Sequence, residues 1–334
     1  MRNHDRGGRF LILLAVIATI VDTGVGNSID GSPHKLGNLP ELDDMAVVIV
    51  GGANRTEWAT AAYDSWLSMF SKKLHVTDVD PDPAAMGRGL ASISINVFEQ
   101  TPTEESQIKA FIHPKNPFLR HIGRQKKGNT HNLGWHLAQP RYLLGLEALA
   151  ERYPTAKWYL IADSDTFMYP RRIARGLLQS HNPDNEAVGL GTVWKQRLGA
   201  GNSMQPCLLG GSGAIVSAAA IRQMNMSDCV RKQSSILRWN KLASDWRLAE
   251  CMRDGEVEIK AAEFMFMVND HFNCEPHGPS GCDNFYSRIH RTRTACPYTY
   301  HYMDPATVAT VFEETILSIP TTQVSLPGDD GKCN

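Results

Sequence analysis

Apolar residues along this chain fall into short unbroken runs separated by segments of helical period. Residues 45–50, M-A-V-V-I-V, are apolar throughout and stop at Gly51-Gly52. A run that short and continuous predicts a strand buried on both faces, followed by a turn. An amphipathic helix is predicted over 58–70, and 74–77 predicts a second strand that ends in Asp78, Asp80 and Asp82. Strand, glycine turn, helix, strand is the opening of an α/β nucleotide-binding half.

Residues 101–128 are polar and broken by Pro102, Pro114 and Pro117, which predicts an irregular insertion. Over 134–153, Trp135, Leu137, Tyr142, Leu143, Leu146 and Leu149 recur at helical spacing and lead into 158–168, W-Y-L-I-A-D-S-D-T-F-M. A fresh helical pattern follows Tyr169-Pro170, and 187–193 is another candidate strand. The stretch 208–216, L-L-G-G-S-G-A-I-V, reads as one strand interrupted by glycines, which usually mark a close backbone approach. Alternation persists to about Met252, after which Cys and Pro become denser. These patterns predict an α/β fold in a single catalytic domain with a Cys-rich, disulfide-stabilised C-terminal part.

The most informative segment is the end of the 158–168 run, where a buried strand stops on Asp163 and Asp165 with Ser164 between them. Asp-x-Asp at a strand tip offers hard oxygen ligands at fixed geometry, which suits a divalent cation holding a diphosphate. The plain alternative is a pair of carboxylates solvating a strand exit. Aspartyl phosphohydrolases also carry D-x-D-x-T at a strand end, with the first Asp as nucleophile. Phe167 stands at the fifth position here and breaks that motif.

The bulk numbers limit the alternatives. With 334 residues, 42% of them hydrophobic, the chain has material for one large domain or two small ones. A net charge of -1 and a pI near 6.9 offer no basic surface for nucleic acid. Arg2, Arg6 and Arg9 precede the apolar run 10–21, which has the form of a secretory leader, with Gly24 and Gly26 as candidate cleavage residues. As a helix that run spans only about 18 Å against the roughly 30 Å hydrocarbon core, so a cleaved signal fits better than a type II signal anchor. Either way the remainder enters the secretory pathway, to act in the ER or Golgi lumen or beyond the cell, with membrane contact only through such an anchor. The expected divisions are 1–26 signal or anchor, 27–43 stem, 44–318 catalytic domain and 319–334 flexible tail.

The seven cysteines, from Cys207 to Cys333, have no C-x-x-C spacing. Disulfides in an oxidising lumen are the expected use rather than a zinc ribbon. An odd number leaves at least one free, with Cys333 the candidate, or paired between chains in a homodimer. Sequons at Asn54 and Asn225 are compatible with the same route.

Three further constellations could carry chemistry. Asp245 opens the helical pattern S-D-W-R-L-A-E-C-M; it reads first as a helix cap, and otherwise as a general base beside a cleft. His301, in Y-T-Y-H-Y-M-D, is either a packed residue of an aromatic strand or a neutral imidazole completing the cation site, a choice shared with His271, His277 and His290. Gly210-Gly211-Ser212-Gly213 matches neither a dinucleotide fingerprint nor a P-loop. It is a bulged turn or a bare wall that admits a sugar ring.

Taken in order, W-Y-L-I-A-D-S-D-T-F, G-G-S-G-A-I-V-S, S-D-W-R-L-A-E-C-M and Y-H-Y-M-D resemble the blocks of fringe-like β-1,3-glycosyltransferases, glycosyltransferase family 31, and among them the core 1 galactosyltransferases and fungal fringe-like relatives. The resemblance spans about 45–314, and includes G-W-H-L-A-Q-P-R-Y-L-L-G-L-E-A-L upstream. It implies a GT-A fold, with an open mixed sheet flanked by helices, a UDP-sugar donor, Mn²⁺, a glycan or glycoprotein acceptor and inversion at the anomeric carbon. It places Asp163 and Asp165 on the D-x-D acids with Asp165 the direct ligand, His301 on a metal-ligating histidine, Asp245 on the catalytic base and Gly211 and Gly213 on the donor loop. It also implies a Cys229–Cys251 disulfide, and Gly51 and Asp78 as nucleotide contacts.

The chain departs from the family pattern in three places. Ser164 replaces the central acid of D-D-D, Ser244 replaces the glutamate before the base, and His136 replaces a lysine expected to meet donor phosphate. A family relative that lacks the metal motif acts as a chaperone-like protein, and a non-catalytic secretory protein of that kind is the alternative function. Retention of Asp163, Asp165, Asp245 and His301 in one chain argues against it.

Overall fold

The computed structural model describes residues 40–52, 56–77, 91–94, 131–197, 204–233, 244–262, 298–301 and 303–313. The leader, the stem to residue 39, Asp78, Asp80, Asp82, the Asn54 sequon, the 101–128 insertion, His271, His277, His290, the cysteines beyond Cys251 and the tail lie outside the described residues, as does the side chain of His136.

In chain order the main elements are β1 (Met45–Val50), α1 (Thr56–Asp64), β2 (Lys72–Thr77), β3 (Ala91–Ser94), α2 (His131–Arg152), β4 (Trp158–Asp163), β5 (Phe167–Met168), β6 (Val188–Gly191), β7 (Val193–Arg197), β8 (Met204–Leu208), β9 (Ala214–Ser217), α3 (Ala218–Gln223), α4 (Met226–Gln233), α5 (Ser244–Asp254), β10 (Glu258–Ala261), β11 (Thr299–Tyr300) and α6 (Pro305–Phe312). A seven-stranded sheet runs β10-β6-β9-β4-β1-β2-β3. Every neighbouring pair is parallel except those made by β9, which lies antiparallel to both β4 and β6. The expected α/β architecture, an open mixed sheet flanked by helices, is the one the chain adopts.

The unbroken apolar runs are explained by burial on both faces. All six residues of β1 are buried, and so are the first five of β4. Ala46, Val48, Val50, Leu74, Val76, Tyr159, Ile161, Ala214 and Val216 form one core with Leu143, Leu146 and Leu149 of α2 and Leu248 and Met252 of α5. Each such large side chain contributes roughly 1.5–3 kcal/mol on burial. Pro140 sits inside α2, where its missing N–H leaves one helical hydrogen bond unmade. Arg141, Tyr142, Leu143 and Leu144, which follow it, are all buried.

Two expected elements divide. The helix predicted over 58–70 ends at Asp64 and continues only as a 3₁₀ turn, Trp66–Met69. Ser65 Oγ donates to the Ala61 and Ala62 carbonyls at 2.5 and 3.2 Å, competing with the helical ladder at that point. The single strand predicted over 208–216 is two: β8 closes a hairpin with β7, and β9 belongs to the central sheet. Between them Gly210–Ser212 forms a 3₁₀ turn and Gly213 takes φ 89°, a backbone that L side chains rarely adopt, so the chain reverses there. The helical pattern after Pro170 is likewise broken into short α, π and 3₁₀ turns.

The Cys229–Cys251 disulfide implied by the family resemblance is present and ties α4 to α5. Cys207 is a free, buried thiol, the one free cysteine among the described residues, while Cys333 lies outside them. Closing a loop across 22 residues restricts the unfolded chain by about 3 kcal/mol. Replacing Cys229 and Cys251 by serine should therefore cost about that much in a denaturant titration under oxidising conditions. Equal midpoints for the two proteins would show that the bond adds nothing.

Candidate metal and sugar-transfer site

The parallel strands deliver their carboxyl ends to one edge, where α/β sheets bind ligands. Val50 of β1 pairs in register with Asp163 of β4, so Gly51 and Ser164 lie side by side just past the sheet. Ser164 N–H donates to the Val50 carbonyl at 3.0 Å, and Gly51 N–H to that of Val76 at 2.9 Å. A side chain at Gly51 would meet Ser164 Oγ at 3.4 Å and His75 Nε2 at 3.1 Å. Ser164 thus turns toward Gly51, leaving the outer pair, Asp163 and Asp165, for the other side.

His301 reaches that pair through the short β5–β11 ladder. Tyr300 pairs with Phe167 and Thr299 with Met168, and Met303 N–H donates to the Asp165 carbonyl at 2.9 Å. His301 Nε2 consequently lies 3.1 Å from Asp165 Oδ1 and 3.5 Å from Asp163 Oδ2. Asp165 and His301 are buried; the Asp163 side chain is 37% exposed. Ligand atoms of all three fall within 4.8 Å of one another. Two carboxylate oxygens and an imidazole nitrogen are a mixed donor set suited to Mn²⁺ or a similar divalent ion.

Burial alone would disfavour a charged His301, but Asp165 and Asp163 outweigh it and hold the imidazolium to about pH 9. The ring proton stands where a cation would, so the carboxylates are compensated in the metal-free protein. Tyr142, on α2, sits beneath this group. Its hydroxyl donates to the Gly210 carbonyl at 2.6 Å, and burial together with Asp163, Asp245 and Asp165 keeps the phenol protonated far above its usual range.

Asp245 lies in the first turn of α5, where Oδ1 accepts from Trp246 N–H at 3.0 Å. Half-buried and within electrostatic reach of Asp163, it has its carboxyl pushed up to about 6, chiefly by burial. A helix-start acid can be a cap without function, yet a carboxyl raised into the neutral range beside other acids has the property of a general base. Gly211 stands directly behind His301: a Cβ there would come within 2.2 Å of His301 Cε1. Its missing side chain makes room for the imidazole, a reason that pattern reading did not supply.

Gly51 has its carbonyl held by buried Arg141 at 2.9 Å, and the neighbouring His75 is lowered by burial to about 4, hence neutral. Nothing in the sequence indicates the hydrogen bonds that Arg141, Tyr142, Thr166 and Thr299 make at this site. Tyr142 registered only as an apolar position in a helical period, and nothing in a period shows where a hydroxyl points.

No protein-family profile matches the chain, and no curated protein matches it. Among solved structures it is similar to a glycosyltransferase involved in glycosylation of the major capsid of PBCV-1, at 10% identity over 81% of this chain and 100% of that one, TM-score 0.41. It is also similar to mouse xyloside xylosyltransferase 1, at 12% identity over 78% and 97% of the two chains, TM-score 0.40. The glycosyltransferase GlyE of Streptococcus pneumoniae is a third, at 12% identity over 84% and 65%, TM-score 0.38. Likenesses this distant leave the chemistry to be read from the side chains.

Two outcomes follow from the geometry. Gly211→Ala should push His301 off Asp165, so that the affinity of any divalent ion held by this group, with Mn²⁺ as the probe in an electron paramagnetic resonance titration, falls at least about tenfold; unchanged affinity would mean that the ring is free to retreat. In the metal-free protein, His301 has a folded pKa raised from 6.5 to about 9, so its stabilisation is complete below pH 6.5 and lost as pH rises through 9. The stability difference between wild type and His301→Asn should shrink over that window, and a pH-independent difference in denaturant melts would contradict the ion pair.

Proposed function

We propose that this chain is an inverting glycosyltransferase of GT-A type. It moves a hexose, such as galactose or GlcNAc, from a UDP-sugar to a hydroxyl of a glycan or glycoprotein and forms a β-1,3 linkage. One observation carries the reading: Asp163, Asp165 and His301 converge at the carboxyl edge of the sheet, with Asp245 near them as a separate acid of raised pKa. The ordered motifs resembling fringe-like enzymes support the donor and linkage. The Cys229–Cys251 disulfide supports an oxidising compartment, in keeping with action in the ER or Golgi lumen.

Asp165 and His301, with Asp163 in support, would hold Mn²⁺ in this reading, and an ion bound there would supply positive charge to offset the charge that develops on the departing UDP. Asp245 takes the proton from the acceptor hydroxyl as its oxygen attacks the anomeric carbon from the face opposite the diphosphate. The new glycosidic C–O bond forms as the bond to UDP breaks, which inverts the anomeric centre. A raised pKa keeps Asp245 basic enough to accept that proton near neutrality.

Calorimetry and a transfer assay separate the roles. Asp165→Ala should lose Mn²⁺-dependent UDP binding, whereas Asp245→Asn should keep it and lose transfer by at least about a hundredfold. Wild-type kcat/KM should fall about tenfold per pH unit once pH drops below the Asp245 pKa, which is about 6 without the ion and lower with the ion bound, as Asp245 becomes protonated. Normal transfer by Asp245→Asn would remove it as the base.

A further inference from the structure

The Gly210–Ser212 turn is the surface against which His301 rests, yet two glycines in a row make it intrinsically soft. Its stiffness is supplied from outside. Each of its three carbonyls accepts a hydrogen bond from a hydroxyl on a different segment: Gly210 from Tyr142 of α2 at 2.6 Å, Gly211 from Thr166 of the β4–β5 connection at 2.8 Å and Ser212 from Thr299 of β11 at 2.7 Å. Thr166 and Thr299 are not arbitrary donors. Thr166 follows Asp165 directly in the chain, and Thr299 stands two residues before His301.

Those bonds close a ring of constraints. From Asp165 the path runs through Thr166 to Gly211, along the turn to Ser212, across to Thr299, along β11 to His301, and back to Asp165 over 3.1 Å. Gly211 is the contact point. The direction in which its Cβ would project is filled by the His301 ring, at 2.2 Å to Cε1, 2.5 Å to Nδ1 and 2.9 Å to Nε2. A shift of the turn by a few tenths of an ångström must therefore either crowd the imidazole or leave it loose. Thr166 is itself wholly buried, so no water competes for its bond to Gly211.

We propose that Thr166 is a positioning residue, which with Thr299 locks the Gly210–Ser212 turn so that Gly211 holds the His301 imidazole against Asp165. The metal role of His301 rests on the function proposed above; the positioning of its ring does not. Partners that orient a metal-ligating side chain in this way typically change affinity by tenfold to a hundredfold when removed, while leaving the ligand itself in place.

The test compares Thr166→Val, which keeps the shape and removes the donor, with Thr166→Ser, which restores it. In the metal-free chain carrying ¹³Cε1-histidine, the His301 resonance, assigned by its loss in His301→Ala, should shift or broaden in Thr166→Val and return in Thr166→Ser. Mn²⁺ affinity by electron paramagnetic resonance should fall about tenfold in the first variant and recover in the second. An unchanged His301 resonance in Thr166→Val overturns the proposal. A wild type that binds no Mn²⁺ overturns the metal reading alone, since the resonance still reports the ring. Should Thr166→Val fail to fold, the Thr299→Val and Thr299→Ser pair reads the same ring of bonds from its other side, with the same two outcomes.

Discussion

A buried carboxylate and a buried imidazole packed at the end of a sheet, beside a second carboxylate that is part exposed, cannot all keep their ordinary charges without compensation. That constraint governs this molecule. Asp165 and His301 are both buried and 3.1 Å apart, and Asp163 approaches the same nitrogen at 3.5 Å. Carboxylates alone would repel each other there, and a neutral imidazole alone would be a poor partner for them. A positive charge among them relieves this: the proton that His301 holds to about pH 9 supplies one, and a divalent ion in its place would supply another.

The fold meets this demand with unusually short connections. Asp163 is the last residue of an interior strand, Asp165 lies two residues on, and the chain then turns straight into the two-residue β5 that pairs with the strand before His301. Ligands distant in sequence are thereby fixed by backbone register instead of by flexible side chains. β9, the one reversed strand of the sheet, contributes in its own way: because it runs backwards beside β4, its entry turn is brought to the same edge as the exits of the parallel strands. The glycines of that turn supply the surface for His301. A parallel β9 would have put its entry turn at the opposite end of the sheet.

Much of this was legible in the sequence because it is periodic or terminal. The buried strands announce themselves as unbroken apolar runs, and Asp163 and Asp165 stand out because they end one. The break at Ser65 was not legible, since a serine that back-bonds to the preceding turn has the same identity as one that faces water. The split at Gly213 was hidden for a related reason. Glycine signals permission for an unusual φ, not the direction in which the chain leaves, so one interrupted strand and two strands in separate sheets look alike. His301 and Gly211 illustrate the remaining limit. Each is ambiguous alone, and their contact across ninety positions is fixed by pairing that no local pattern contains.

Asp245 is coupled electrostatically to the Asp163, Asp165 and His301 group, which bears on the role proposed for it. Burial is the first cause of the raised Asp245 carboxyl, and the negative charge of Asp163 adds to it. With a divalent ion held at Asp163, Asp165 and His301, the second contribution is compensated while the first is unchanged, because burial depends on packing at the start of α5. Asp245 therefore moves partway back toward an ordinary carboxylate as the site fills. It becomes more completely ionised at neutral pH when the donor's counter-charge is in place, and less ionised when it is not. The Cys229–Cys251 disulfide anchors the helix that carries Asp245, so a covalent bond restrains the position of this carboxyl, while its charge state responds to the charge at Asp163.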